Sequence, residues 1–178
     1  SGAATASNGA AGLYPVENLT PEAVESGETL IRENAPVYVI DDAELERVKA
    51  SYPVVWKDLN AKPKLCFIGC PHLTLAQLKS WTGRISAALD ANGQKKVTVP
   101  TVMTAAPATV KAFKAMPEYK QLESCGVVLS YICPLMYMNN PLSGKMPVIT
   151  CSNKLRTYTT ARYYTEDELL AQITGGVK

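Results

Sequence analysis

A chain of 178 residues is long enough to bury a substantial core within one ordinary domain. Its composition, 47% hydrophobic and 19% charged with a formal net charge of +2, is that of a soluble globular protein and carries no basic footprint for a nucleic-acid backbone. No run approaches the roughly eighteen consecutive apolar residues of a membrane span. The N-terminus lacks the charged start and long apolar stretch of a signal peptide, so a cytoplasmic location is expected.

In chain order, Ser1 to Gly12 is a run of Ala, Ser and Gly that reads as a tightly packed helix from a larger assembly. Leu13 to Val16 reads as a short strand. Thr20 and Pro21 then supply an N-cap and a first helical residue. Pro36 to Ile40 predicts a strand, followed by a helix capped by Asp41 or Asp42 that runs to about Ser51 with Leu45 and Val48 facing the core. Tyr52 to Pro63 reads as a connection.

Lys64 to Ile68 is the strongest strand pattern, and it ends in Gly69-Cys70-Pro71-His72, which holds the chain's single histidine. Thr74 caps the next helix, where Leu75, Leu78, Trp81, Ile85 and Leu89 recur at helical spacing until Asn92-Gly93 stops it. Lys96 to Met103 predicts a strand with a bulge or edge at Pro100, because proline cannot donate to a ladder. Two helices separated before Pro117 follow, the second ending at Gly126. Gly126 to Cys133 and Pro147 to Ser152 predict two further strands. A capping box in Thr165-Glu166-Asp167-Glu168 opens the last helix, which runs to about Ile173.

Helices between strands favour parallel crossovers, so the expected fold is α/β, a layered αβα domain with a mostly parallel sheet. In such a sheet ligands bind outside the carboxyl ends of the strands, which is where Cys70, Cys133 and the segment around Cys151 would fall. The five cysteines are an odd number without a C-x-x-C pair, which argues against a disulfide framework, a zinc ribbon or a thioredoxin-type centre. Cys66, inside a strand, and Cys125, at a helix end, read as core thiols. Cys70 and Cys133 read either as small core groups or as thiolate ligands of an iron–sulfur cluster, whose set would need a further member such as Cys151, a solvent position or a partner residue. His72 is a candidate general acid or base, or a cap for the helix that follows it. Thr150-Cys151-Ser152-Asn153-Lys154, with Arg156, collects hydroxyls and cations at the start of a helical segment; it fits a small anion, or an ordinary polar cap. No Walker or G-x-G-x-x-G sequence points to a nucleotide.

Taken together, Gly12-Leu13-Tyr14-Pro15-Val16-Glu17-Asn18-Leu19-Thr20-Pro21-Glu22-Ala23, the Gly69-Cys70-Pro71-His72 turn, the Cys133 segment and Thr150 to Lys154 resemble the C-terminal half of the large subunit or domain of the aconitase X family. The resemblance spans nearly the whole chain. It implies an aconitase-like domain and an iron–sulfur-dependent hydro-lyase (dehydratase) of the aconitase superfamily, acting on a small hydroxy acid such as mevalonate 5-phosphate or cis-3-hydroxy-L-proline.

It further implies that Cys70 and Cys133 are two of three ligands of a 2Fe-2S or 4Fe-4S cluster. Ser152 and Lys154 would hold the anionic substrate, and His72 would border the cluster. The third cysteine would belong to an N-terminal half and the catalytic serine base to a small swivelling domain. Residues 1–178 would then be a single α/β domain, a fragment of a larger catalytic chain, inactive in isolation. The chain departs from the family pattern at Pro15, at Tyr131-Ile132-Cys133 and at Cys151, departures that would mark another substrate and an extra thiol. The alternative is a noncatalytic α/β domain that binds a small anion or serves structurally. A weaker third reading, a cysteine-dependent transferase, would place the nucleophile at Cys70.

Overall fold

The computed structural model describes residues 14–176 and forms two compact units that divide between Tyr52 and Pro53. The expected helix over Ser1 to Gly12 lies outside the described residues.

In the first unit, helix α1 spans Pro21–Ser26, a 3-10 turn spans Gly27–Leu30, and α2 spans Asp42–Ala50. Asp41 caps α2 by accepting the Glu44 N–H at 2.8 Å. Three expectations fail in this unit. Tyr14 to Val16 is not a strand, because the Val16 carbonyl is taken by the N–H groups of Leu19 and Thr20 in a turn. Pro36 to Ile40 has no ladder partner among the described residues, and Val37, Tyr38, Val39 and Ile40 are exposed. Leu45 is likewise exposed rather than facing a core.

The second unit holds a five-stranded, wholly parallel sheet in the order β3-β2-β1-β4-β5. Its strands are β1 (Leu65–Leu73), β2 (Thr101–Ala105), β3 (Val127–Ser130), β4 (Val148–Thr150) and β5 (Arg162–Tyr163). Central strands buried on both faces read as continuous apolar runs, and Cys66-Phe67-Ile68 is such a run.

The strand expected from Lys96 to Met103 begins later. Val97 donates to the Cys125 carbonyl and Thr98 to the Ile173 carbonyl, so those residues leave the ladder, and β2 starts directly after Pro100. Pro100 lies beside the sheet interior instead of on an edge; its carbonyl accepts the Cys66 N–H at 2.8 Å.

Helices cover both faces, giving the layered α/β arrangement that the sequence predicts. One face carries α3 (Leu75–Ala91), α4 (Pro107–Lys114), α5 (Pro117–Ser124) and α8 (Glu166–Thr174). The α3 N-terminus has a capping box between Thr74 and Gln77, and Leu78, Trp81, Ile85 and Leu89 are its buried stripe. These residues pack with Phe113, Leu122, Leu169 and Ile173 over Cys66, Ile68 and Met103. The other face carries two short helices, α6 (Pro134–Met138) and α7 (Asn153–Tyr158), over a smaller cluster of Phe67, Cys70, Met138, Val148, Leu155 and Ala161. Among the described residues, no helix is long and apolar enough to cross a membrane.

Candidate functional site at the carboxyl edge of the sheet

The tetrapeptide Gly69-Cys70-Pro71-His72 does not follow β1; it lies within it. Residues Cys66 to Ile68 pair in register with Thr101 to Met103, and the next pair is Leu73 with Ala105, so the tetrapeptide is a bulge between two paired stretches. The Cys70–Pro71 peptide is cis, and Gly69 has φ +111°. An added Cβ at Gly69 would collide with the Thr104 carbonyl oxygen and lie 2.7 Å from Thr104 Oγ1, so only glycine fits this close approach of two backbones. Neighbouring hydroxyls fill part of the hydrogen bonding. Thr104 Oγ1 donates to the Gly69 carbonyl at 2.6 Å, Thr150 Oγ1 to the Phe67 carbonyl at 2.9 Å, and Ser152 Oγ to the Cys70 carbonyl.

Cys133 reaches the same edge by a separate route. The chain leaves β3 at Ser130, whose Oγ accepts the Ile132 N–H at 3.1 Å and meets the Tyr137 hydroxyl at 3.1 Å. Tyr137 in turn packs its ring on Phe67 of β1, with centroids 5.3 Å apart. Cys133 is thereby held as the N-cap residue of α6, with Pro134 at the first helical position. Its α6 packs through Met138 on the apolar cluster that holds Cys70, and its thiol stands near enough to Cys70 to act on that thiol electrostatically. Cys133 is half-buried, and Cys70 is buried.

Burial raises the Cys70 thiol above its ordinary value. The Ser152 hydroxyl eases that shift, the Cys133 thiol adds to it, and the Lys154 ammonium opposes it. Lys154 sits in the first turn of α7, and among the described residues no carboxylate pairs with it. Ser152 caps that helix, accepting the Leu155 N–H at 3.0 Å while holding the Cys70 carbonyl.

His72 lines a cleft of about 200 Å³ that Cys70 also borders, together with Trp81, Arg84, Cys151, Ser152 and Glu166. Its Nε2 is buried and has no hydrogen-bond partner. Arg84 crosses the cleft wall, bonded to Glu166 at 2.5 Å and Asp167 at 2.8 Å and stacked on Trp81 at 4.6 Å. Cys151 belongs to this side: burial, and secondarily the Glu166 carboxylate, push its thiol up to about 12. Cys66, below it in the core, is raised well above its ordinary value, again chiefly by burial.

The fold thus brings Cys70, Cys133, Ser152 and Lys154 to one corner, with His72 on the adjoining cleft. Cys151 does not join the thiol pair, and no group of three or more His, Cys, Asp or Glu side chains that could hold a metal forms among the described residues. Two adjacent thiols are the soft donors that an iron–sulfur cluster takes, so this corner fits as part of a ligand set and not as a whole one. Thr104 and Arg84 were missed by sequence reasoning. Neither belongs to a local motif, and their contacts appear only once β1 has been paired with β2 and α3 with α8.

A layered domain with an all-parallel sheet and its candidate groups at the strands' carboxyl edge is the class that these observations define. Within that class the chain has an aconitase X-like fold. It is similar to the crystal structure of Thermococcus kodakaraensis aconitase X in its holo-form, with a TM-score of 0.60 and 20% sequence identity over 80% of this chain and 36% of that chain. The chain therefore spans about a third of that protein's length. No protein-family model matches the sequence, and no curated protein matches it.

Proposed function

We propose that this chain is one part of an iron–sulfur-dependent hydro-lyase that removes water from a small anionic hydroxy acid, with Cys70 and Cys133 as two of the cluster's thiolate ligands. The observation that carries the reading is the meeting of these sequence-remote thiols beside Lys154 at the sheet edge. The substrate would be a hydroxy acid such as mevalonate 5-phosphate or cis-3-hydroxy-L-proline.

The cluster, when bound, supplies a Lewis acid for the departing hydroxyl. This chain's own groups do the rest of the work at the corner. Lys154 presents an ammonium to the substrate's carboxylate or phosphate, and Ser152 fixes the turn that carries it. Cys70 and Cys133 would hold the cluster as thiolates, and burial otherwise keeps the proton on the Cys70 sulfur. Nε2 of His72, which has no partner inside the protein, is the atom at which a proton would be held or passed beside the substrate. The remaining thiolate and the base that abstracts the substrate proton belong to the part of the enzyme beyond this chain, so the isolated chain is expected to be inactive.

Anaerobic reconstitution of the full-length protein with ferrous iron and sulfide tests the reading. A visible charge-transfer absorption is expected, lost in both Cys70→Ser and Cys133→Ser and kept in Cys125→Ser. No absorption in the wild type, or absorption in Cys70→Ser and Cys133→Ser equal to that of the wild type, would overturn it.

A further inference from the structure

At the bulge, the pairing of β1 with β2 shifts register between Ile68 and Leu73, and the backbone carbonyls in and beside it lie in a buried region. An unpaired buried carbonyl is costly. Hydroxyls from both flanking strands meet them: Thr104 from β2 at Gly69, and from the β4 side Thr150 at Phe67 and Ser152 at Cys70. All three side chains are buried. The two on the β4 side have other duties as well, since Thr150 Oγ1 accepts the Ser152 N–H at 3.1 Å and Ser152 caps α7. Thr104 Oγ1 donates to the Gly69 carbonyl, on the residue directly before Cys70.

We infer that Thr104 is a positioning residue for the Cys70 sulfur: its hydroxyl fixes the Gly69 carbonyl, and through that peptide sets where the thiol stands relative to Cys133. The inference rests on the reading of Cys70 and Cys133 as a ligand pair. The Gly69 backbone already approaches Thr104 too closely for a side chain, so the hydrogen bond acts at very short lever length. Loss of the hydroxyl removes this hold on the Gly69 carbonyl and frees the Gly69–Cys70 peptide to turn. The sulfur that it carries moves off the geometry that two-thiolate coordination needs. Outer partners that orient a ligand typically change metal affinity by about 10- to 100-fold.

Cadmium(II) alone is the probe, read by its ultraviolet thiolate-to-metal charge-transfer band in the reduced 178-residue chain. Wild type is expected to bind it with dependence on both Cys70 and Cys133. Thr104→Val, which keeps the shape and removes the hydroxyl, is expected to weaken binding by roughly tenfold or more, and Thr104→Ser to restore it. Thr101→Val is the control, since it removes another buried hydroxyl of β2, one that bonds the Val99 carbonyl at 2.8 Å and neighbours the core thiol of Cys66, not Cys70 or Cys133; it should leave cadmium binding unchanged.

Equal affinity in Thr104→Val and wild type overturns the inference, as does a Thr104→Ser chain as weak as Thr104→Val, or a Thr101→Val chain weakened to the same degree. Should Thr104→Val not fold, Thr104→Ala against Thr104→Ser carries the comparison. A fold lost in both hydroxyl-free variants would make the group a folding requirement and also overturn the inference. Wild-type binding that ignores Cys70 and Cys133 would instead sink the ligand-pair reading itself, which separates the two failures.

Discussion

The two faces of the sheet are held in different ways. On one, α3, α4, α5 and α8 enclose Leu78, Ile85, Phe113, Leu122, Leu169 and Ile173 completely. On the other, α6 has five residues and α7 has six, lengths at which a helix has little stability of its own. They stay in place through a small apolar cluster and through side-chain hydrogen bonds of Ser130, Tyr137 and Ser152. The candidate thiols sit on the thin face. A deep core makes the strands rigid, and the short helices and loops at their ends carry side chains whose positions are set by a few polar contacts.

The largest expected effect breaks this comparison at its deep side. Phe113→Ala empties a fully buried site packed edge-on against Tyr119, with ring centroids 6.2 Å apart, and should cost about 3–5 kcal/mol. Met138→Ala on the thin face should cost less, about 2 kcal/mol, because its surroundings can relax toward it. Urea unfolding of the two variants checks the ranking. Equal losses would show that the faces are equally deep.

Gly69→Ala comes next, at about 3 kcal/mol, from the positive φ and the collision with Thr104 together. It acts on the thin face differently from Met138→Ala. The collision pushes β1 and β2 apart at the bulge, so the Cys70 thiol should become alkylated faster in the folded protein. Unchanged stability together with unchanged Cys70 alkylation would show that the two backbones are not in close contact.

Much of the deep face was legible in the sequence because it is written locally. The stripe Leu78, Trp81, Ile85, Leu89 has a helical period, and the Thr74 and Thr165 caps bond within their own first turns. The thin face was less legible. Pro71 cannot donate to a ladder and so reads as a strand's end, yet hydroxyls from β2 and β4 keep the bulge inside β1. Helix α6 and the two-residue strand β5 exist through contacts with β1 and β4, which no local period encodes. Pro36 to Ile40 shows the converse: its composition is that of a strand, but a strand is a property of a pair. Of the candidate site, the residue types and their strand-end setting could be read; the meeting of Cys70 with Cys133, and the separation of Cys151 from them, required the sheet order.

Both faces answer to base through buried thiols, Cys70 on the thin face and three more on the deep one. Cys66, Cys125 and Cys151 lie against the deep core, and burial raises all three thiols, Cys151 to about 12. An unfolded cysteine titrates near 8.5. Above that value the unfolded chain has lost protons that the folded chain keeps, so stability is fully present below about pH 8.5 and falls as pH rises toward the folded values. Cys151 alone should contribute a loss of about 3 kcal/mol by roughly pH 11. Cys151→Ala should flatten the slope in denaturation measured across that range. A slope identical in wild type and variant would mean that the thiol is not shielded by the core.

The smallest effect sharpens the boundary between the faces, at the cleft where Arg84 ties α3 to the start of α8. Its partners are exposed, Glu166 at 58% and Asp167 at 95% of the side chain, so solvent screens both ion pairs, and each is worth little. The stack of the guanidinium on Trp81 adds a similar small amount. Arg84→Ala should therefore cost about 1 kcal/mol in low salt and less in high salt, where the pairs are screened further. The same substitution removes a cation that favours the Cys151 thiolate and opens the cleft wall beside it. Alkylation of Cys151 distinguishes the two consequences: an opened wall speeds it, while loss of the charge alone slows it by holding the proton on sulfur. Faster modification with a small, salt-sensitive loss of stability would identify Arg84 as a cover over the rim of the deep core. A loss of several kcal/mol that salt does not change would instead make it a structural strut, and the deep face would then extend to the cleft itself.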